Sequence, residues 1–186
     1  MSIKKLILIG ASTGGPGQLQ KIIKTINKDF DATIVIIQHM QSPYLSSFVK
    51  QLNNNCNLDV SLSKENLVLK NRTIYVLEEN YEIKDKNGDL VFHRYNKPLN
   101  YSPNIDLLFN SVASINKNIK IMAIILTGIG NDGASGASNL AKIGATCINE
   151  NEQSSIVYGM PKAASELNPN ALQLGIEEIC YKIGEF

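Results

Sequence analysis

Four short apolar runs dominate the hydrophobic pattern of the chain, and each ends at a polar or glycine-rich cluster. They cover residues 3–9, 33–37, 121–126 and 145–148. Runs that do not alternate with polar residues indicate strands buried on both faces, as in a parallel sheet. The pattern therefore predicts the central strands of an α/β fold.

Stretches with apolar residues at helical spacing separate these strands. "GQLQKIIKTINKD" has one apolar face, and "SPYLSSFVKQLNNN" groups Tyr44, Phe48 and Leu52 on another. "NIDLLFNSVASI" and "GASNLAKIG" predict two further helices. Alternating strands and helices predict a three-layer α/β/α fold around a doubly wound, mostly parallel sheet.

The middle of the chain has a different pattern. Residues 73–95 read as "TIYVL", a turn at "EENYE", and "KDKNGDLVFHRY", in which Asn87-Gly88 is a strong hairpin signal. We predict an antiparallel hairpin insertion here, as a flap or an edge extension. Residues 170–186 predict a closing strand and helix. Without a linker or a repeat, residues 1–186 are expected to form one domain.

Charge and hydropathy narrow the functional classes. With 18 basic and 17 acidic residues the net charge is +1, and no basic stripe indicates a nucleic-acid partner. No apolar run approaches the roughly 20 residues of a membrane helix. The start "MSIKKLILIG" leads into "STGGP" instead of a signal-peptide cleavage site. We therefore expect a cytoplasmic protein that does not insert into membranes.

The three cysteines, Cys56, Cys147 and Cys180, are widely spaced and form no C-x-x-C pair. This spacing favours buried or half-buried thiols over disulfides or zinc ligands. The sequence has only two histidines, so a metal centre would need carboxylates for most of its ligands. We expect neither a metal nor an organic cofactor.

Polar residues follow three of the predicted strands. Ser12 lies in Gly10–Gly15, His39 follows the second strand, and Asp132 lies in "TGIGNDGASG". Ligands of open α/β sheets bind outside the carboxyl ends of the strands, so these side chains are expected to meet. A serine, a histidine and an aspartate are the set required for acyl transfer.

Other interpretations of these residues remain open at this point. Gly10–Gly15 lacks the dinucleotide and P-loop fingerprints, but it fits both a plain glycine turn and the short G-x-S-x-G pattern. Asp132 would ordinarily be a helix N-cap or turn residue. His93 falls in the predicted hairpin, which leaves His39 as the natural base. The resulting order Ser, His, Asp differs from that of α/β-hydrolases.

Five separated blocks of the chain resemble the catalytic domain of the chemotaxis protein-glutamate methylesterases. They read "LIGASTGGP", "IVIIQHM", "SPNIDLLFNSVA", "ILTGIGNDGASGASNLAKIGA" and "NEQSSIVYGMPKAA". The resemblance implies hydrolysis of glutamate methyl esters on the cytoplasmic helices of methyl-accepting chemoreceptors, with release of methanol. In some members it also implies deamidation of receptor glutamines.

The family triad falls on Ser12, His39 and Asp132, the residues selected above. Oxyanion donors are expected at the backbone N–H of Thr13, at the start of a helix, and at that of Ile129, where the resemblance assigns the role. Members usually carry methionine at the latter position. Isoleucine keeps the N–H and changes the pocket wall.

Two departures from the family pattern concern receptor preference. The family's glycine- and proline-containing loop is replaced by "LEENYEI" at 77–83, and a basic residue is replaced by Ser102. We expect both positions to lie in substrate-facing loops. We also expect no receiver domain, since the first strand begins at about residue 3. A silent docking module and a hydrolase for another ester or amide are the competing hypotheses.

Overall fold

The structure is a computed structural model that describes residues 3–115 and 118–186. Its strands are β1 (Lys5–Ala11), β2 (Thr33–Gln38), β3 (Asp59–Leu62), β4 (Thr73–Val76), β5 (Tyr81–Lys86), β6 (Asp89–Arg94), β7 (Lys120–Ile125), β8 (Thr146–Glu150) and β9 (Leu172–Leu174). Its helices are α1 (Gly15–Thr25), α2 (Ser42–Asn54), α3 (Ile105–Ala113), α4 (Ala134–Lys142), α5 (Met160–Leu167) and α6 (Ile176–Gly184).

The main sheet has the strand order β3-β4-β2-β1-β7-β8-β9, and every neighbouring pair is parallel. From β1 the chain winds outward through β2 to one edge and later through β7 to the other. The predicted doubly wound α/β/α fold is therefore confirmed. The winding reverses between β1 and β7, and the carboxyl ends of these strands are the expected position of a ligand site.

The apolar runs are continuous because both faces of the central strands are covered. In β1, Ile7 and Ile9 face the apolar cluster under α1, α2 and α6. Leu6 and Leu8 face the cluster under α3, α4, α5 and the hairpin. Successive side chains of a strand point to opposite faces, so a strand between two helical layers needs apolar residues at every position.

In α2 the predicted apolar face is wrong at one residue. Tyr44 is 67% exposed, whereas Leu45, Phe48, Val49 and Leu52 are buried. These four lie at i, i+3, i+4 and i+7, which defines one face of a helix. Tyr44 lies one residue before this series and faces solvent.

The middle segment is only partly the predicted insertion. β5 and β6 form the antiparallel hairpin, with Asn87 (φ 56°) and Gly88 (φ 97°) at its turn. Two positive φ angles match the turn that Asn-Gly favours. "TIYV", however, is β4, a parallel strand between β2 and β3. The prediction assigned it to the hairpin because its true partners are distant in sequence, and it also missed β3.

Candidate active site

The ends of β1, β2 and β7 meet at the carboxyl edge of the sheet, and backbone hydrogen bonds hold their loops together. The Ser12 N–H donates to the Thr127 carbonyl over 3.0 Å, and the His39 N–H donates to the Ala11 carbonyl over 3.0 Å. Both bonds extend the sheet ladder just beyond the strands. The loops that carry Ser12, His39 and Asp132 are therefore neighbours.

His39 and Asp132 form a hydrogen-bonded pair. The His39 Nε2 lies 2.8 Å from Asp132 Oδ2, and the two side chains are 14% and 1% exposed. A carboxylate only accepts hydrogen bonds, so the proton of neutral His39 resides on Nε2. Nδ1 then keeps its lone pair and is the ring nitrogen that can accept a proton.

The first turn of α3 fixes Asp132. The Ile105 N–H donates to Asp132 Oδ2 over 2.8 Å, and the Asp106 N–H donates to Oδ1 over 2.9 Å. Gly133 is the N-cap of the following helix α4, so Asp132 does not cap its own helix. It instead satisfies the free N–H groups of a helix that precedes it by nearly thirty residues in sequence.

Asp106 makes the reciprocal contact. Its Oδ1 accepts a hydrogen bond from the Gly136 N–H at the start of α4 over 2.6 Å. Burial raises the pKa of Asp106, and the nearby charge of Asp132 raises it further, against the lowering effect of the Gly136 hydrogen bond. The two aspartates therefore cross-link the N-terminal turns of α3 and α4 behind the imidazole.

Ser12 lies on a tight turn. Gly14 has a φ of 85° and is the N-cap of α1, and a Cβ there would lie 2.6 Å from Ile156 Cβ. Only glycine adopts this conformation without strain. Within residues 3–115 and 118–186, the Ser12 hydroxyl makes no hydrogen bond, either to His39 or to another group.

Gln38, which sequence reasoning missed, joins the backbones of the first two site residues. Its Nε2 donates to the Ser12 carbonyl over 2.9 Å and to the His39 carbonyl over 3.1 Å. The side chain is buried, and its Oε1 has no hydrogen-bond partner among the residues that the structure describes. The available signal was a polar residue at the end of an otherwise apolar strand.

The expected oxyanion donors flank Ser12. Neither the Thr13 N–H nor the Ile129 N–H donates a hydrogen bond within the described part of the chain. Gly128 packs directly on the serine, since a Cβ on it would lie 2.7 Å from Ser12 Cβ. The segment that carries Ile129 is thus in contact with Ser12.

A buried carboxylate supports this segment. Glu150 is fully buried and accepts hydrogen bonds from the Thr127 N–H over 2.8 Å, the Ser154 hydroxyl over 2.6 Å, and the Gln18 side-chain amide. The Thr127 hydroxyl in turn donates to the Thr13 carbonyl over 2.9 Å. One network therefore links both glycine loops, and sequence reasoning did not identify it.

Tyr101, also missed, stacks on the imidazole. The His39 and Tyr101 ring centroids are 5.0 Å apart, with an interplanar angle of 3°. Tyr101 lies in an irregular stretch before α3, where no periodicity or motif marks it. The other histidine, His93, lies on β6, half exposed, with Nδ1 3.5 Å from Glu65 Oε1.

The remaining chemistry of the described residues is limited. The thiols are buried or half-buried as predicted, and burial raises the pKa of Cys147 to about 11. No group of three or more His, Cys, Asp or Glu side chains that could hold a metal ion occurs in residues 3–115 and 118–186. No helix in these ranges is long and apolar enough to span a membrane.

The chain is similar to known proteins along nearly its whole length. The model of the family "CheB methylesterase" matches residues 7–183. A "Protein-glutamate methylesterase/protein-glutamine glutaminase 2" of Syntrophomonas wolfei is 38% identical over 166 residues, which are 87% of this chain and 48% of that protein. A Bacillus subtilis "Protein-glutamate methylesterase/protein-glutamine glutaminase" is 35% identical over 87% of this chain and 46% of its own length.

A solved structure agrees with the sequence comparisons. The Thermotoga maritima CheB methylesterase catalytic domain superimposes with a TM-score of 0.90 at 33% identity, and the match covers 98% of both chains. The chain spans about half the length of the curated relatives it matches. Sequence, fold and site geometry together establish that the chain belongs to the CheB methylesterase family.

Proposed function

We propose that this chain hydrolyses glutamate methyl esters, with Ser12 as nucleophile, His39 as general base and Asp132 as the group that orients His39. The observation that carries the proposal is the bond between His39 Nε2 and a carboxylate immobilised by α3. That bond leaves Nδ1 as the ring nitrogen that can accept the proton of Ser12. Hydrogen bonds to catalytic serines are often long in unliganded enzymes and tighten when substrate binds.

In the first half-reaction, Ser12 Oγ attacks the ester carbonyl while His39 accepts its proton. The imidazolium returns that proton to the departing methoxide, so methanol leaves and an acyl-serine remains. In the second half-reaction, His39 deprotonates a water molecule that attacks the acyl carbon. The glutamate carboxylate is then released and the Ser12 hydroxyl is restored.

The tetrahedral oxyanion is assigned to the Thr13 and Ile129 N–H groups. Two observations support this assignment. Both N–H groups are unpaired among the described residues, and both lie in segments that contact or follow the serine. A preorganised donor of this kind is typically worth about 3 kcal/mol of transition-state stabilisation. Ile129 supplies its backbone N–H while its side chain, 63% exposed, forms part of the rim.

The family and the names of the relatives support the proposed substrate class. We place the substrates on cytoplasmic helices of methyl-accepting chemoreceptors, and the chain in the cytoplasm as an enzyme of chemotactic adaptation. The names of the relatives also include glutaminase activity. Deamidation uses the same steps with ammonia as the leaving group, and it is the second candidate activity.

Receptor preference is assigned to the loop after β4 and to Ser102. This loop is shorter than predicted and comprises residues 77–80. Tyr81 and Ile83 lie in β5 with buried side chains, so the expectation that they face substrate is wrong. Glu78 accepts a hydrogen bond from the Ser42 hydroxyl over 3.0 Å, and Glu79 pairs with Arg94 at 2.7 Å. The Arg94 contact offsets part of the acidic charge of this loop.

The test is methanol release from methylated receptor helices, measured beside hydrolysis of a small methyl ester. The proposal expects release from both substrates and none above background from Ser12→Ala. A docking module would cleave neither. A hydrolase of another ester would cleave the small substrate and leave the receptor methylated. Ammonia release from unmodified receptor helices measures the deamidase activity in the same assay.

A further inference from the structure

One face of the His39 imidazole is covered by an aromatic ring that the triad mechanism does not use. Tyr101 lies parallel to the imidazole, with a centroid distance of 5.0 Å and an interplanar angle of 3°. The histidine side chain is 14% exposed, so the surrounding protein leaves little of it open to solvent. The arrangement constrains both the plane and the environment of the base.

We propose that Tyr101 is a positioning residue for His39 that fixes the plane of the imidazole and stabilises its protonated form. The proposal rests on the function proposed above, in which His39 becomes charged in each half-reaction. The bond to Asp132 fixes one nitrogen, which leaves the ring free to tilt about that contact. A parallel neighbour removes this freedom.

The electrostatic part follows from the charge distribution of an aromatic ring. The ring face is negative, and a cation within about 6 Å of its centroid is attracted to it. Neutral imidazole gains little from this field, whereas imidazolium gains more. The stack therefore favours the charged state that His39 reaches after accepting the serine proton.

The effect of the Tyr101 ring on His39 can be measured separately from the effects of the other groups around the imidazole. Asp132, from the loop before α4, contacts the ring nitrogen, and Asp106 of α3 lies behind it. Ser12 from the loop after β1 and Gln38 of its own strand are uncharged. Substitutions at Tyr101 leave both aspartates in place, so a change in the titration of His39 reports the ring.

The phenol end of Tyr101 also packs against the backbone at Gly130. A Cβ on Gly130, whose φ is 90°, would lie 2.8 Å from the Tyr101 hydroxyl oxygen. Gly130 directly follows Ile129, so Tyr101 packs between the base and the segment that carries the second oxyanion donor. Its position is thus defined from two sides, as a positioning role requires.

The primary experiment is an NMR titration of the two histidines in the intact protein. We expect Tyr101→Leu to lower the pKa of His39 by about 0.5–1 unit, since removal of the ring face destabilises imidazolium. Tyr101→Phe keeps the face and should leave that pKa unchanged, and Tyr101→Trp should leave it unchanged or raise it. His93 is the internal reference and should titrate alike in all four proteins.

Kinetics supply the second readout. The acid limb of kcat/KM follows the neutral form of His39, so in Tyr101→Leu it should move to lower pH by the same amount. The plateau of kcat should fall about threefold to tenfold, with KM nearly unchanged. Tyr101→Phe should match the wild type.

Identical His39 titrations in the leucine and phenylalanine variants would overturn the proposal, whether or not the rates fall. If the leucine variant does not fold, Tyr101→Met replaces it, and a lower pKa of His39 in the tryptophan variant than in the wild type would also overturn the proposal. The NMR titration needs no turnover. A protein that cleaves no ester but shows the expected pKa shift would refute the proposed function and leave the stack supported.

Discussion

The two glycine loops of the site have the same backbone construction, but they differ in how their polar side chain is hydrogen-bonded. Both follow a central strand and lead into a helix whose N-cap is a left-handed glycine, Gly14 at φ 85° and Gly133 at φ 92°. In the first loop the Ser12 hydroxyl has no hydrogen bond among the described residues. In the second loop Asp132 accepts three.

The difference matches what each group must do in the proposed mechanism. A nucleophile has to exchange its proton and form a new bond, so hydrogen bonds to surrounding protein would have to be broken first. An orienting carboxylate performs best when it does not move, because any motion of the carboxylate also moves the imidazole that it holds. Substitutions in the two loops should therefore separate activity from stability.

The largest effect is expected in the first loop. Ser12→Ala should reduce kcat on the order of 10⁶-fold, because no nucleophile remains. Its free energy of unfolding should stay within about 0.5 kcal/mol of wild type, since the hydroxyl has no hydrogen bond to lose in the described part of the chain. Methanol release and urea unfolding measure the two quantities. Substantial residual turnover would show that the nucleophile lies elsewhere.

The second loop should respond in both quantities. Asp132→Asn should lower kcat about 10⁴-fold, since the amide no longer holds the required tautomer of His39. It should also cost about 1–3 kcal/mol of stability, because an NH₂ group then faces backbone donors of α3. Asp89→Asn, at an exposed position of β6, is the matched control and should change neither. An Asp132→Asn protein that is inactive but as stable as the wild type would contradict the expectation that Asp132 also stabilises the fold.

A smaller effect tests the contact between the loops. In Gly128→Ala the new Cβ would lie 2.3 Å from Met160 Sδ and 2.7 Å from Ser12 Cβ. The serine must shift, and we expect kcat to fall about 10²-fold. Gly17→Ala is the control, because beyond its own helix backbone and chain neighbours no described atom lies within 4 Å of the new Cβ, and it should keep full activity with equal or slightly higher stability. Equal rates for the two variants would mean that the loop accommodates the new methyl group without displacing Ser12.

The smallest effect concerns the aspartate behind Asp132. The pKa of Asp106 is raised, mainly by burial, so its ionisation costs more in the folded than in the unfolded state. The stability it contributes is complete below its unfolded pKa and declines as pH rises through its folded pKa. Asp106→Asn keeps an acceptor for Gly136 and removes this cost. Relative to wild type, its free energy of unfolding should therefore increase between pH 4 and pH 7, by under about 1 kcal/mol. A relative decrease over that range would reverse the assigned direction.

Local patterns were sufficient for much of the architecture. Continuous apolar runs identified β1, β2, β7 and β8 because burial on both faces leaves no place for polar residues. Asn87-Gly88 identified the hairpin because few residue pairs adopt two positive φ angles. The polar residues after the strands identified His39 and Asp132 as neighbours because parallel strands end at one edge of the sheet.

Tertiary structure alone decided the relations that have no local signal. β4 resembles a hairpin strand in sequence, yet its partners β2 and β3 are set by the sheet as a whole. Asp132 reads as a cap for its own helix, yet it binds the first turn of α3 because packing of α3 on α4 brings those N–H groups to it. Tyr101 carries no pattern and reaches His39 only through the folded path of its loop. Sequence periodicity records which side chains are buried, whereas contacts between distant segments depend on how the buried surfaces pack together.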